Sequence, residues 1–128
     1  MSGRPQFLSV REVGRLESAD VPGYTMAQYA RAPHRAYAET GGPDRYRPRK
    51  FRKLVQEVRK DGAVTRPITI GPGERGLAVW DGHHRYRAAR LAGVTHVPVE
   101  WSDDVLEAVG SSYAGLRAKG QAFNEGAR

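Results

Sequence analysis

The sequence predicts an α/β (α+β) domain in which helices pack on a short mixed sheet. Two apolar runs, 67–70 and 77–80, are separated by glycines and a proline, a pattern typical of paired strands. Gly82 then separates the second run from a segment of helical composition. An earlier helix is predicted by apolar residues at i, i+3, i+4 and i+7, namely Phe51, Leu54, Val55 and Val58.

The amino-terminal part carries weaker signals. Residues 7–10 predict a first strand, and residues 11–16 fit either its continuation or a short helix. Residues 21–48 form an irregular insert rich in Tyr, Arg, Gly and Pro, with short helices expected around 25–31 and 34–39. Its aromatic side chains fit either stacking on bases or packing on the core. They are Tyr24, Tyr29, Tyr37 and Tyr46.

The middle of the chain alternates between clear elements and turns. A helix from about residue 49 to residue 60 is expected to stop at Gly62, before a strand at 67–70. Residues 71–76 match the pattern G-x-G-x-x-G, which in dinucleotide-binding proteins opens a helix. The segment that follows has strand composition, so these glycines are expected to serve a hairpin turn.

Beyond Gly82, a helix at 84–92 is predicted to end at Gly93, and a strand is predicted at 96–101. Pro98 favours an edge strand or a terminal ladder position, because proline has no N–H. We therefore predict one domain over 1–101. We also predict a helical extension over 102–128, with a helix to about residue 109, another at 111–120 and a frayed tail.

Composition limits the function. With 21 Lys and Arg against 14 Asp and Glu, the formal net charge of +7 favours an anionic partner, such as a nucleotide or a nucleic acid. The absence of cysteine excludes disulfides, thiolate metal sites and cysteine nucleophiles. No apolar run approaches the length of a membrane span or a secretion signal, so a bacterial or phage cytoplasm is the expected setting.

The junction after Trp80 is the predicted phosphate site. A helix start exposes unpartnered N–H groups and the positive end of the helix dipole, and the arginines of the helix add charge. Arg85 is the favoured ligand because its guanidinium can donate two hydrogen bonds to phosphate oxygens. The alternative is that Arg85 forms an ordinary surface ion pair. The predicted phosphate ligands are Gly82, His83, His84, Arg85 and Arg87.

Three neighbouring residues at this junction have competing interpretations. The Asp81 carboxylate fits either orienting a ligand or metal, or capping the helix. His83 and His84 occupy adjacent helix positions that point apart, so they cannot share one metal ion. Each imidazole is instead expected to donate to a phosphate oxygen, and no metal ligand is predicted.

The predicted helix at 49–60 also carries a basic face. Such a face fits either attraction to a nucleic-acid backbone or simple solubility, and the excess of one sign favours a partner. Trp80 and Trp101 are assigned to structure, at the centre and the edge of the sheet. The candidate nucleic-acid contacts are Arg49, Lys50, Arg52, Lys53, Arg59 and Lys60.

The order of elements over about 50–101, with Asp81-Gly82-His83-His84-Arg85 and Gly93 between the last two strands, resembles the ParB/sulfiredoxin superfamily. The resemblance implies a small α/β domain with its phosphate pocket at the strand-to-helix turn. Sulfiredoxins have their reactive cysteine where this chain has His83, so that activity is excluded. ParB proteins, which bind CTP and slide on DNA as clamps, have Glu-Arg-Arg where this chain has His83-His84-Arg85.

The spelling Asp-Gly-His-His-Arg is similar to that of the ParB-like free-serine kinases, where the motif handles nucleotide phosphates. In those enzymes a glutamate nearer the amino terminus acts as base. The resemblance therefore implies Glu12 or Glu39, or else Asp81, as the catalytic carboxylate.

Three functions follow, in order of preference. The first is a ParB-like protein from a bacterial or phage setting that binds a nucleotide, DNA or both. The second is an ATP- or ADP-dependent kinase of a small molecule such as serine, and the third is a metal-dependent nuclease. The expected cofactors are ATP, ADP or CTP with Mg²⁺. No membrane partner is expected, and a homodimer is left open.

Overall fold

The computed structural model describes residues 6–40 and 47–102, which form five helices and one five-stranded sheet. The strand order is β1-β5-β3-β4-β2. β1 pairs antiparallel with β5 and β3 with β4, whereas β3 and β5, and β2 and β4, run parallel. The predicted mixed α/β class is confirmed. The strands are β1 Gln6–Ser9, β2 Glu17–Ser18, β3 Ile68–Pro72, β4 Leu77–Asp81 and β5 His96–Trp101.

The helices agree with the sequence pattern, and the structure decides the ambiguous segment. That segment begins as a helix because the Ser9 hydroxyl accepts a hydrogen bond from the Glu12 N–H. Both short helices expected in the insert are present, and the first opens with a capping box between Thr25 and Gln28. The helices are α1 Val10–Gly14, α2 Met26–Arg31, α3 Pro33–Thr40, α4 Pro48–Asp61 and α5 His83–Ala92.

The core lies between the sheet and the helices that pack on it. The predicted stripe of α4 buries Phe51, Val55 and Val58, while Leu54 is half-buried. Tyr86 contributes the largest buried side chain of α5. At 25 cal/mol per Å² of apolar surface, each fully buried side chain of this kind stabilises the fold by about 1.5–3 kcal/mol. The same packing fixes α4 beside α5, and so places the carboxyl end of α4 near the turn that precedes α5.

The tyrosines of the insert mostly pack on the core. Tyr29 is fully buried, Tyr37 is 3% exposed, and their rings meet edge to face at 6.0 Å. These two rings are therefore closed to a nucleobase. The Tyr24 hydroxyl donates to the Glu39 carboxylate at the surface, and Tyr46 lies outside the described residues.

The glycine-rich segment 71–76 forms the predicted hairpin turn. Gly73 donates its N–H to the Gly76 carbonyl at 2.6 Å, and β3 and β4 flank the turn as an antiparallel pair. No helix opens here, so the dinucleotide interpretation has no geometric basis in this turn.

Two details of the sheet differ from the sequence prediction. β5 is an inner strand between β1 and β3, so it is not an edge strand; Pro98 lies opposite Phe7 within the antiparallel ladder with β1, and the parallel ladder with β3 begins at Val99. Trp80 lies on the inner strand β4, but it is 40% exposed. The prediction that Trp80 occupies the centre of the sheet did not anticipate this exposure. The helices predicted at 103–109 and 111–120, and the tail, lie outside the described residues.

Candidate functional site

The turn between β4 and α5 depends on Gly82. Its φ of 106° lies in the left-handed region, and a Cβ added there would stand 2.9 Å from Cγ1 of Ile68. Only glycine fits without strain. Gly82 is also the N-cap residue, so α5 has no N-cap side chain, and the cap considered for Asp81 is not made. The amino terminus of a ten-residue helix, where backbone N–H groups and the helix dipole favour an anion, is placed at this turn.

This turn forms one wall of a cleft of about 380 Å³. Residues 80–85 line one side, and the carboxyl half of α4 with residues 63–66 lines the other. Asp20, from the loop after β2, lies on a third side. The volume is within the range of small-molecule sites.

Arg85 is held at the wall of this cleft. Its Nη1 donates to the Pro67 carbonyl at 2.5 Å, and its Nη2 lies 3.7 Å from Oδ2 of Asp81. The guanidinium is 17% exposed and has five N–H donors, of which these contacts use only a part. Arg85 therefore lies beside Asp81, as the ion-pair alternative expected, and still has N–H donors with which it could bind a phosphate.

His83 is buried instead of open to a ligand. It is 4% exposed, its Nε2 lies 2.7 Å from the Ser18 hydroxyl, and its Nδ1 lies 3.6 Å from Oδ2 of Asp20. Ser18 also accepts a hydrogen bond from the Val21 N–H. Burial lowers the pKa of His83 despite the opposing effect of Asp20, so the ring is neutral near pH 7. Both ring nitrogens therefore face protein groups. The prediction that His83 donates to a phosphate oxygen did not anticipate these contacts.

His84 and Arg87 face α4. The His84 ring lies 6.2 Å from that of Phe51, and His84 lines both the cleft and a neighbouring hollow beside Lys50. The Arg87 guanidinium lies 4.4 Å from the centre of the Phe51 ring, a cation–π contact, and Arg87 is not among the residues that line the cleft. The structure therefore brings Gly82, His83, His84 and Arg85 together at the cleft, with the His83 ring nitrogens facing Ser18 and Asp20, and leaves Arg87 outside.

The two glutamates suggested as bases lie away from the turn. Glu12 is on α1, 3.7 Å from Arg15, and Glu39 is bound by Tyr24 and Arg35. The Tyr24 and Arg35 hydrogen bonds lower the pKa of Glu39. Neither glutamate lines the cleft. The carboxylates that line the cleft belong to four other residues, Asp20, Glu57, Asp61 and Asp81.

Three of these carboxylates have no motif in the sequence that marks them. Glu57 and Asp61 are four residues apart on α4, so they project on one side of that helix. That side is the cleft, whereas 49, 53 and 60 fall opposite the buried stripe by the 100° step of a helix, on the solvent side next to Glu57. The helix period, combined with the buried stripe, was the only signal available for this acidic flank.

Charge in the cleft is mixed, with four carboxylates against the guanidiniums of Arg66 and Arg85. A bare polyphosphate would meet repulsion from the acidic wall, whereas a phosphate that carries a divalent cation would not. Within the described ranges, no three His, Asp or Glu side chains group closely enough to hold a metal ion by themselves. The donor set suits Mg²⁺ brought by a phosphate and contacted through water or one or two carboxylates.

The basic residues of α4 are all exposed. One of them, Arg59, donates from its Nη2 to the Leu91 carbonyl at 3.4 Å, which ties it to the end of α5. By the helix period, 49, 53 and 60 lie on the solvent side opposite the buried stripe, 52 and 59 lie on the side away from Glu57, and 50 lies on the same side as Glu57. The basic residues are Arg49, Lys50, Arg52, Lys53, Arg59 and Lys60.

No protein-family model and no curated protein matches the chain. The chain is similar in structure to the C-terminally truncated chromosome-partitioning protein ParB from Caulobacter crescentus, solved as a complex with CTP-γ-S. The identity is 20%, the TM-score is 0.49, and the match covers 81% of this chain and 48% of ParB. This chain thus spans about half the length of that structure.

Across the described residues, the search for a helix both long and apolar enough to traverse a bilayer finds none.

Proposed function

We propose that the protein binds a nucleotide together with Mg²⁺ in the cleft beside Gly82, and that a phosphate group of the nucleotide lies at the start of α5. The supporting observation is the amino terminus of α5, which lines the cleft beside Arg85 and whose N-cap residue, Gly82, has no side chain. Backbone N–H groups, the helix dipole and a guanidinium act there on the same anion.

The acidic wall supports the Mg²⁺ part of the proposal. Asp20, Glu57, Asp61 and Asp81 line the same cleft, and carboxylate oxygens are ligands that Mg²⁺ accepts directly or through water. The bound cation would supply charge neutralisation between these carboxylates and the phosphates. ATP, ADP and CTP are the candidate nucleotides.

The test is thermal unfolding with each nucleotide, with and without Mg²⁺. A ligand that binds only the folded state raises the melting temperature, so a shift that requires both components is expected. Arg85→Ala should abolish it. Arg90→Ala is the matched control, because Arg90 lies on the same helix but donates to the Ala27 carbonyl and does not line the cleft. An undiminished shift in Arg85→Ala would place the ligand elsewhere.

A kinase reaction is the second candidate, and one observation favours it. Asp20, Glu57, Asp61 and Asp81 lie in the cleft itself, so an acceptor hydroxyl bound beside the phosphate would have a base within the same cavity. Glu12 and Glu39 have no such position. Incubation with ATP or ADP, Mg²⁺ and serine tests this function, with nucleotide consumption that depends on the acceptor as the expected result.

Nucleic-acid binding is an additional function proposed for the exposed surface of α4. Six exposed cations there would neutralise backbone phosphates without reading sequence. Cleavage of the nucleic acid is not proposed, because the described residues offer no group of three metal-binding side chains.

A further inference from the structure

Trp80 is an exposed aromatic residue in the wall of the cleft. Its side chain is 40% exposed, although its neighbour Val79 is fully buried. It stands two residues before Gly82 and lines the same cleft. The indole is thus partly open at the end of an inner strand.

The ring lies flat on the neighbouring strand β3. A Cβ added to Gly71 would stand 2.2 Å from Cε2 of Trp80, 2.5 Å from Cζ2 and 2.6 Å from Cδ2. Cε2 is bonded on three sides within the ring system, so an atom nearest to it must approach from above the ring plane. One face of the indole therefore rests on Gly71, which has room for it only because glycine has no Cβ.

A hydrogen bond fixes the ring in this orientation. Nε1 of Trp80 donates to the Pro72 carbonyl at 3.1 Å, so the ring is held at its edge as well as on one face. The exposed area then belongs to the opposite face and to the free edge. Trp101 is different, because it is half-buried and its Nε1 donates to the Gln6 side chain.

We propose that the open face of Trp80 is the platform on which the base of the bound nucleotide stacks. This inference rests on the proposed nucleotide site at α5, and it assigns the residue that contacts the base of that nucleotide. Flat aromatic faces stack with nucleobases largely without regard to sequence, and a ring held in advance loses little freedom on binding. The cleft holds Trp80 and the Gly82 turn together, so one ligand can contact both.

The test compares nucleotides with tripolyphosphate, which has the phosphates but no base, each with Mg²⁺ and measured by calorimetric titration. Trp80→Leu keeps apolar bulk on Gly71 but removes the flat ring, and Trp80→Phe keeps a ring. The leucine variant should bind nucleotide roughly 5- to 150-fold more weakly and tripolyphosphate as the wild type does. The phenylalanine variant should lose less.

Gly71→Ala is a second, independent variant. The added Cβ would overlap the indole at 2.2 Å and displace the ring, although Trp80 itself is unchanged. Nucleotide affinity should fall and tripolyphosphate affinity should stay the same. In Trp101→Phe, Trp80 becomes the sole tryptophan, because the chain has 2. Nucleotide should quench its fluorescence, and tripolyphosphate should not.

The outcomes distinguish a failure of the stacking proposal from a failure of the proposed phosphate site. If nucleotide binds wild type and Trp80→Leu equally, or if tripolyphosphate binds as tightly as nucleotide, the stacking platform is wrong and the phosphate site stands. If neither ligand binds the wild type, the phosphate site itself is wrong, and both proposals fall.

Discussion

Gly82 shows how one residue sets the geometry of the candidate site. Its positive φ lets β4 pass directly into α5, and its missing side chain brings the turn against Ile68 and leaves the helix uncapped. Around that turn lie Asp81, Arg85 and Trp80. The same residue thus decides both the packing of the turn and the access of an anion to the helix.

Gly82→Ala should destabilise the fold by about 1–3 kcal/mol, because alanine is strained at this φ and its Cβ would approach Ile68 to 2.9 Å. Urea unfolding measures the change. Gly76→Ala is the control, since a Cβ there meets no atom within 4 Å, and it should change stability little. Equal stability of the two variants would show that the turn tolerates a side chain.

His83 should make folding sensitive to pH. Burial lowers its pKa in the folded state below the ordinary 6.5, so the unfolded chain binds the proton more readily. Stability is therefore fully present above about pH 6.5 and is lost as pH falls from there through the lowered folded pKa. Denaturant midpoints between pH 8 and pH 5 test this expectation.

His83→Gln should flatten the dependence over that interval, whatever its effect on the stability at pH 8. If the denaturant midpoint changes with pH between pH 8 and pH 5 equally in the variant and the wild type, another group is responsible for the pH dependence.

At the scale of elements, α4 has three different sides. Its buried stripe packs on α5, its Glu57 and Asp61 flank lines the cleft, and Arg49, Lys53 and Lys60 lie on the solvent side opposite the stripe. A single amphipathic helix thereby contributes to two different proposed surfaces. The hydrophobic pattern fixes which side is buried, and the remaining sides follow from the helix period.

Replacing Arg49, Lys53 and Lys60 with glutamine should weaken binding to duplex DNA and reduce the slope of log K against log salt by about 2–3, roughly one unit for each DNA phosphate that the variant no longer neutralises. Salt-dependent fluorescence anisotropy measures the slope. Nucleotide binding in the cleft should be unchanged. The prediction fails if the triple variant has the wild-type slope.

The reciprocal change is Glu57→Gln with Asp61→Asn on the acidic flank. It should leave the salt dependence of DNA binding as it was and reduce the contribution of Mg²⁺ to nucleotide affinity, because two carboxylates facing the cleft are neutralised. Titrations of nucleotide at several Mg²⁺ concentrations test it. If the variant keeps the wild-type Mg²⁺ dependence, the cation does not lie against this wall.

At the scale of the whole molecule, folding assembles the cleft from segments distant in sequence. Asp20 follows β2, residues 57–66 end α4 and lead into β3, and the turn joins β4 to α5. The mixed sheet holds these three segments in one place. Binding and folding are consequently linked, since the cleft exists only in the folded chain.

A nucleotide with Mg²⁺ at one hundred times its dissociation constant should therefore raise the free energy of unfolding by about 2.7 kcal/mol. Equilibrium urea unfolding with and without the ligand measures this, and the dissociation constant comes from a separate titration. Agreement between the two values would show that the ligand binds only the folded state. No stabilisation at saturating ligand would contradict a site formed by the fold.

Local patterns in the sequence determined the mixed α/β class, helices α4 and α5, the hairpin at 71–76 and the glycine turn at Gly82. Periodicity and turn chemistry depend on near neighbours, which is why they can be read from the chain alone. Only the tertiary structure decided that Ser18 and Asp20 occupy the ring nitrogens of His83, that Glu12 and Glu39 lie away from the cleft, and that Trp80 rests on Gly71. Each of these depends on contacts between strands and helices far apart in the sequence, whose relative positions are set by packing of the whole core.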